Sequence, residues 1–162
     1  MQSSLFVIDD LCQGQFAIMP RPEGNERLGD EIEYIRSQGF DTVISLLTAK
    51  EQQQYGLEKE ADCCQEKGLS FLSFPMVDDV ALSDIDMVVF ISKLIERQKA
   101  GHRMLFHCHS GVGRSAVVLT LLADRLGTCP NQAFDCIESS LGIPVPKTPL
   151  QKQWVHSMSI SR

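Results

Sequence analysis

Residues 103–125 read RMLFHCHSGVGRSAVVLTLLADR, and this stretch decides the fold. The short apolar run at residues 103–107 is typical of a buried strand, and the run that begins at Ser115 is typical of a buried helix. A turn that contains two glycines joins them. A strand, a tight turn and a helix in this order form one unit of an α/β sheet.

The same alternation of strand-like and helix-like segments continues in both directions. Strand patterns occupy residues 5–8, 15–19, 42–47 and 69–74, and the first two of these are short enough to form a hairpin. Helix patterns occupy residues 28–38, 51–67 (interrupted at Gly56), 84–99 (capped by Ser83), 131–141 and 150–158. Because such alternation produces right-handed crossovers, we expect an α/β fold with a mainly parallel central sheet flanked by helices on both faces.

Composition limits the classes of protein that remain. The chain has 162 residues, which predicts a single domain over residues 1–162. Its net charge of −6 disfavours general binding to nucleic acid or to an anionic membrane. No run approaches the roughly 18 apolar residues of a membrane span. The six cysteines, without a basic, apolar leader at the N-terminus, predict reduced thiols and a cytoplasmic location.

The turn at residues 107–115 has the composition of an anion site. Glycines let consecutive backbone N–H groups point inward, and the guanidinium of Arg114 matches the geometry of phosphate oxygens. The residues expected to bind phosphate with Arg114 are His109, Ser110, Gly111, Val112 and Gly113.

Cys108 opens this turn, and we expect it to be the nucleophile. The helix dipole, the inward N–H groups and Arg114 all favour its thiolate form. We expect Ser115 to donate a hydrogen bond to the sulfur as it departs, and His107 to order the loop through hydrogen bonds. A zinc site is disfavoured because three consecutive side chains, His107 to His109, point in alternating directions, so no metal is predicted.

Residues 107–115 resemble the signature H-C-x-x-G-x-x-R-[S/T] of the cysteine-based protein tyrosine and dual-specificity phosphatases. Bacterial relatives of the cyclin-dependent-kinase-associated phosphatase have a similar order of segments, which in this chain are LFVIDDLCQGQFAI, TVISLL, PMVDD and this loop. The resemblance implies a dual-specificity-phosphatase-like fold and a cysteinyl-phosphate intermediate.

The resemblance also implies a general acid on an upstream loop. Related enzymes read P-x-x-D where this chain has Pro75 to Asp78, so the pattern selects Asp78. Asp79 is the alternative, since some small phosphatases use the second residue of an Asp-Asp pair. In a later family segment, Gln151 matches a glutamine that orients water, although it is equally compatible with the start of a helix. Arg21 and Arg27 lie in a stretch for which two readings stay open: it borders the active site, or, as we expect, the two residues are solvated surface charges.

These observations predict an enzyme that hydrolyses phosphotyrosine, and also phosphoserine or phosphothreonine, in proteins. It would need no metal and no cofactor, act as a monomer, and bind neither nucleic acid nor membrane. Three alternatives stay open: a phosphate-dependent binding module with an inactive site, a phosphatase for a non-protein phosphate ester, and a sulfur-transfer or arsenate-reducing relative.

Overall fold

A computed structural model of the chain describes residues 4–11, 15–77, 84–109 and 113–160. Its centre is one five-stranded sheet with the order β1-β2-β5-β3-β4. The strands are β1 (Phe6–Val7), β2 (Phe16–Pro20), β3 (Thr42–Ser45), β4 (Ser70–Ser73) and β5 (Met104–Cys108). Among the strands of the described residues, only β1 and β2 pair in the antiparallel direction, which confirms the mainly parallel sheet and the N-terminal hairpin.

Seven helices of the described residues surround this sheet. They are α1 (Leu28–Ser37), α2 (Ala49–Gln54), α3 (Glu60–Glu66), α4 (Asp84–Lys99), α5 (Gly113–Arg125), α6 (Pro130–Leu141) and α7 (Pro149–Met158). None of them is long and apolar enough to cross a membrane.

The strands alternate their side chains between two hydrophobic cores, as the pleat of a sheet requires. In β5, Met104 and Phe106 pack with residues of α4 to α7, whereas Leu105 packs on the other face with residues of α1 and α3. Helix α5 is buried from Gly113 to Asp124 because it lies between the sheet and the other helices of its layer. The sheet is therefore covered on both faces, as the sequence predicted.

Two boundaries beside the glycine-containing turn differ from the sequence prediction. Cys108 is the last residue of β5 rather than the first residue of a loop, because Pro20 of β2 still pairs with it. Arg114 and Ser115 lie in the first turn of α5, which begins at Gly113. The predicted helix cap, Ser83, lies outside the described residues.

Candidate active site

The carboxyl ends of three neighbouring parallel strands meet beside Cys108. In the register of the sheet, Cys108 is opposite Pro20, and the preceding residue, His107, is opposite both Met19 and Ser45. Ligands of parallel sheets bind outside this edge, near helix N-termini. Cys108 is 2% exposed, and its side chain belongs to the core shared with α4 to α7.

Arg114 approaches the same edge from the first turn of α5. Its Nη1 donates a hydrogen bond of 2.8 Å to Oε1 of Glu51, and its Nη2 donates one of 2.8 Å to Oε2. Nη1 also donates to the carbonyl oxygens of Met76 at 2.9 Å and of Leu46 at 3.4 Å. Such a paired and hydrogen-bonded guanidinium has a fixed orientation. The sequence had indicated Arg114 but gave no partner for it.

Glu51 is held in place by the start of α2. Its carboxylate accepts a hydrogen bond from the backbone N–H of Thr48, and the Thr48 hydroxyl accepts one from the backbone N–H of Glu51. This reciprocal capping box satisfies two of the N–H groups that every helix start leaves unpaired. The hydrogen bonds from Arg114 are the main reason that the pKa of Glu51 falls to about 2. Glu51 therefore stays ionised and keeps Arg114 oriented.

A second carboxylate reaches β5 from α3. Nε2 of His107 and Oε2 of Glu60 are 2.6 Å apart, and the two side chains are 0% and 1% exposed. A hydrogen bond of this length requires a proton between the two atoms. Because neighbouring residues of a strand point to opposite faces, His107 and Cys108 lie on different sides of the sheet. This contact fixes the strand residue that precedes the cysteine.

Ser115 is fully buried in the first turn of α5. Its hydroxyl has no hydrogen-bond partner among the residues that the structure describes. A buried hydroxyl without a partner costs free energy, so such a group is a candidate for a functional contact.

His109 is exposed and follows Cys108 directly. Its imidazole lies 5.1 Å from the ring of Tyr55, measured between centroids, at an interplanar angle of 40°. The guanidinium carbon of Arg21 lies 3.9 Å from the centroid of the same Tyr55 ring. The expectation that Arg21 is a solvated surface charge was therefore wrong, because aromatic stacking holds it beside the loop. Arg27 matches the expectation better: its side chain is 63% exposed, with Glu23 at 3.5 Å.

Gln151 lies in the first turn of α7, where it completes a second capping box with Thr148. Its Oε1 accepts hydrogen bonds from the backbone N–H groups of Lys147 at 2.8 Å and Thr148 at 3.2 Å. The side chain is fully buried. The oxygen that would orient a water molecule is thus occupied by the helix cap.

Several predicted site residues lie outside the described part of the chain. They are Asp78 and Asp79, the rival general acids, and Ser110, Gly111 and Val112 of the phosphate loop. Met76 lies shortly before the first of these segments, and Gly113 directly follows the second. Arg114, the residue after Gly113, donates a hydrogen bond to the carbonyl oxygen of Met76.

Among the described residues, no group of three or more His, Cys, Asp or Glu side chains is arranged to hold a metal ion. The described cysteines are all free thiols. Burial raises the pKa of Cys64 to about 12 and also raises that of Cys63. Their high pKa values distinguish this adjacent pair from a reactive cysteine site.

A cysteine at a strand end and an arginine at the following helix start, both at the carboxyl edge of a parallel sheet, are the arrangement expected of a cysteine-based phosphatase. The family described as "Polymorphic toxin system, DSP-PTPase phosphatase" matches residues 17–127. The chain therefore belongs to this family of dual-specificity and tyrosine phosphatases, as the signature at residues 107–115 predicted.

Individual relatives agree with this assignment. Cyclin-dependent kinase inhibitor 3 of Rattus norvegicus is 25% identical over 130 residues, which are 78% of this chain and 60% of the rat protein. The similarity therefore spans less than two thirds of that relative's length.

Solved structures show the same fold. Kinase-associated phosphatase, with its catalytic cysteine replaced by serine, matches with a TM-score of 0.81 and 20% identity over 96% of this chain and 92% of that one. The active form of Tk-PTP matches with a TM-score of 0.75 and 23% identity over 98% of both chains. PTPMT1 in complex with PI(5)P matches with a TM-score of 0.74 and 14% identity over 95% and 93%. At these identities the likeness concerns the fold alone.

Proposed function

We propose that this protein hydrolyses phosphotyrosine, and also phosphoserine or phosphothreonine, in phosphoproteins through a cysteinyl-phosphate intermediate. The observation that carries the proposal is the placement of Cys108 and Arg114 at one sheet edge, with Arg114 oriented by Glu51. The thiolate supplies the nucleophile, and the oriented guanidinium supplies donors for the phosphate oxygens.

The first step transfers the phosphoryl group to sulfur. The Cys108 thiolate attacks phosphorus, the bond between phosphorus and the leaving oxygen breaks, and Asp78 gives that oxygen a proton. Arg114 and the backbone N–H groups of residues 109–113 stabilise the charge on the other phosphate oxygens.

The second step releases phosphate. Asp78, now ionised, takes a proton from a water molecule that attacks the cysteinyl-phosphate, and the bond between phosphorus and sulfur breaks. The hydroxyl of Ser115 donates a hydrogen bond to the returning thiolate. Its burial without a partner among the described residues supports this role.

Two supporting residues have different roles in this proposal. The contact with Glu60 makes His107 a positioning residue for β5 rather than a base. The capping box makes Oε1 of Gln151 part of the start of α7. Its Nε2 is buried without a partner among the described residues, so only this nitrogen is available to orient water.

The wider description is also a proposal: one phosphatase domain over residues 1–162 that is cytoplasmic, monomeric, independent of metal or other cofactors, and without nucleic-acid or membrane partners. The net charge of −6 supports the exclusion of polyanionic partners. The name of the rat relative, which refers to a cyclin-dependent kinase, supports a protein substrate over a lipid.

The test is a panel of phosphotyrosine, phosphothreonine and phosphoinositide substrates with a chelator present. Wild type should hydrolyse the phosphopeptides, and Cys108→Ser should be inactive because a serine hydroxyl is barely ionised at neutral pH. Cys129→Ser is the matched control, since Cys129 is an exposed free thiol. Acid quenching followed by mass spectrometry should find phosphate on Cys108. Activity in Cys108→Ser would contradict the mechanism, and so would loss of wild-type activity in the presence of the chelator.

The general acid is tested separately. Asp78→Asn should lower kcat by about 10²- to 10⁴-fold on a phosphotyrosine peptide, and less on an aryl phosphate with a better leaving group. Asp79→Asn, its matched control, should have much less effect. Measuring kcat against leaving-group pKa distinguishes the two. A steeper dependence in Asp79→Asn would transfer the role to Asp79 and leave the phosphatase proposal intact.

A further inference from the structure

Arg21 lies one residue beyond the strand position that pairs with the nucleophile. Pro20 ends β2 opposite Cys108, and the backbone N–H of Arg21 then donates a hydrogen bond of 3.4 Å to the carbonyl oxygen of His109. Neighbouring strands are about 4.8 Å apart, so Arg21 borders the phosphate loop.

The ring of Tyr55 supports the Arg21 side chain. The guanidinium carbon lies 3.9 Å from the ring centroid, and Tyr55 in turn contacts the imidazole of His109. Stacking uses the flat face of a guanidinium, whereas its N–H groups lie in the plane of the group. Stacking on Tyr55 is therefore compatible with a bidentate hydrogen bond from Arg21 to an incoming carboxylate.

The segment that carries Arg21 is fixed against the turn that carries Tyr55. The backbone N–H of Asn25 donates to the carbonyl oxygen of Gly56 at 2.8 Å. At Gly24 an added Cβ would lie 2.0 Å from the carbonyl oxygen of Tyr55, so only glycine allows this approach. A side chain positioned before the ligand arrives loses less freedom on binding.

Arg21 also differs from the other arginines near the site. Among the described residues, no carboxylate lies within ion-pair distance of Arg21, whereas Arg27 is near Glu23 at 3.5 Å and Arg114 pairs with Glu51. In a chain with 21 acidic residues, a half-buried arginine that no described carboxylate neutralises is suited to an external anion.

We propose that Arg21, stacked on Tyr55, forms a second anion-binding subsite, which selects phosphopeptides with an acidic residue next to the phosphorylated residue. This inference rests on the proposed function, because it assumes that a phosphoryl group occupies the loop at Cys108. A single guanidinium suits one carboxylate, and the net charge of −6 disfavours a more highly charged inositol phosphate.

The test measures binding in the Cys108→Ser background, where no turnover occurs. Two phosphotyrosine peptides that differ only in Glu or Gln beside the phosphotyrosine are titrated calorimetrically. We expect the Glu peptide to bind about tenfold more tightly, the value of one charge-assisted hydrogen bond. Arg21→Gln should abolish this preference, and the matched control Arg27→Gln should retain it. Tyr55→Leu should reduce the preference more than Tyr55→Phe does, because phenylalanine keeps the ring on which Arg21 stacks.

The outcomes separate this inference from the proposed function. A preference that survives Arg21→Gln, or an equal loss of affinity for both peptides, would overturn the subsite. Arg21-dependent binding of a soluble inositol phosphate more tightly than the Glu peptide would overturn the choice of a carboxylate. If wild type hydrolyses no phosphopeptide while the preference still depends on Arg21, the proposed function fails and the subsite stands. If hydrolysis needs Cys108 but no preference depends on Arg21, the subsite fails and the proposed function stands.

Discussion

Two glutamates from different helices pair with residues at the carboxyl end of β5 and the start of α5, and their surroundings differ. Glu51 is 24% exposed and accepts two hydrogen bonds from the guanidinium of Arg114. Glu60 is 1% exposed and makes one short contact with the imidazole of His107. The more exposed pair orients the side chain that we propose binds phosphate. The fully buried pair fixes a strand residue whose side chain lies on the other side of the sheet from Cys108. The difference predicts that changes at Glu60 affect stability alone, whereas changes at Glu51 also affect catalysis.

The largest effect is expected from Glu60→Ala. Removing the Glu60 side chain leaves Nε2 of His107 without its buried hydrogen-bond partner and opens a cavity, at a combined cost of about 3–5 kcal/mol in the free energy of unfolding. Glu60→Gln keeps a hydrogen-bonding side chain and should lower the free energy of unfolding less. The control is Glu58→Ala, at an exposed position of the turn before α3. Urea unfolding measures all three. A cost below about 1 kcal/mol for Glu60→Ala would remove the distinction between the two pairs.

Arg114→Lys should have the next largest effect, and the effect should be on catalysis. Lysine keeps the charge but lacks the planar set of donors that contacts both oxygens of Glu51. Loss of an oriented donor to the reacting group lowers kcat by about 10²- to 10³-fold. The readout is kcat/KM on a phosphotyrosine peptide, with unfolding measured in parallel. Near-normal kcat/KM would show that Arg114 serves the fold alone.

Glu51→Gln should have a smaller effect of the same kind. A neutral amide has a single oxygen to accept from Arg114, so the guanidinium loses part of its orientation, and we expect kcat/KM to fall about tenfold, or about 1.4 kcal/mol. Glu33→Gln is the matched control, because Glu33 accepts two hydrogen bonds from Arg36 on the exposed surface of α1. Surface ion pairs of this kind contribute about 0–1 kcal/mol to the free energy of unfolding. An equal effect of both substitutions would mean that the location of the Glu51–Arg114 pair is irrelevant.

The sequence predicted the phosphatase family and the mainly parallel sheet because each depends on local pattern: glycine spacing, hydrophobic runs and the order of strand and helix. It did not predict Glu51 or Glu60, which lie 63 and 47 residues before their partners. Both are in polar segments where a functional carboxylate resembles any solvated one. The pattern Thr48-x-x-Glu51 indicates a helix start, but it carries no information about Arg114. Such pairings arise only when the sheet order β5-β3-β4 brings distant helices to one edge.

A last effect concerns the pH dependence of the Glu51–Arg114 pair. The hydrogen bonds from Arg114 lower the pKa of Glu51 from 4.5 to about 2, against a smaller opposing effect of burial. A carboxyl group with a lower pKa in the folded state stabilises the fold fully above pH 4.5, and loses that contribution as the pH falls through about 2. The difference in unfolding free energy between wild type and Glu51→Gln should therefore be greatest above pH 5 and should narrow towards pH 2. Comparing the two proteins at each pH cancels the titration of the other carboxylates. Urea unfolding at several pH values measures the difference, and a difference that stays constant down to pH 2 would show that Arg114 does not hold Glu51 ionised.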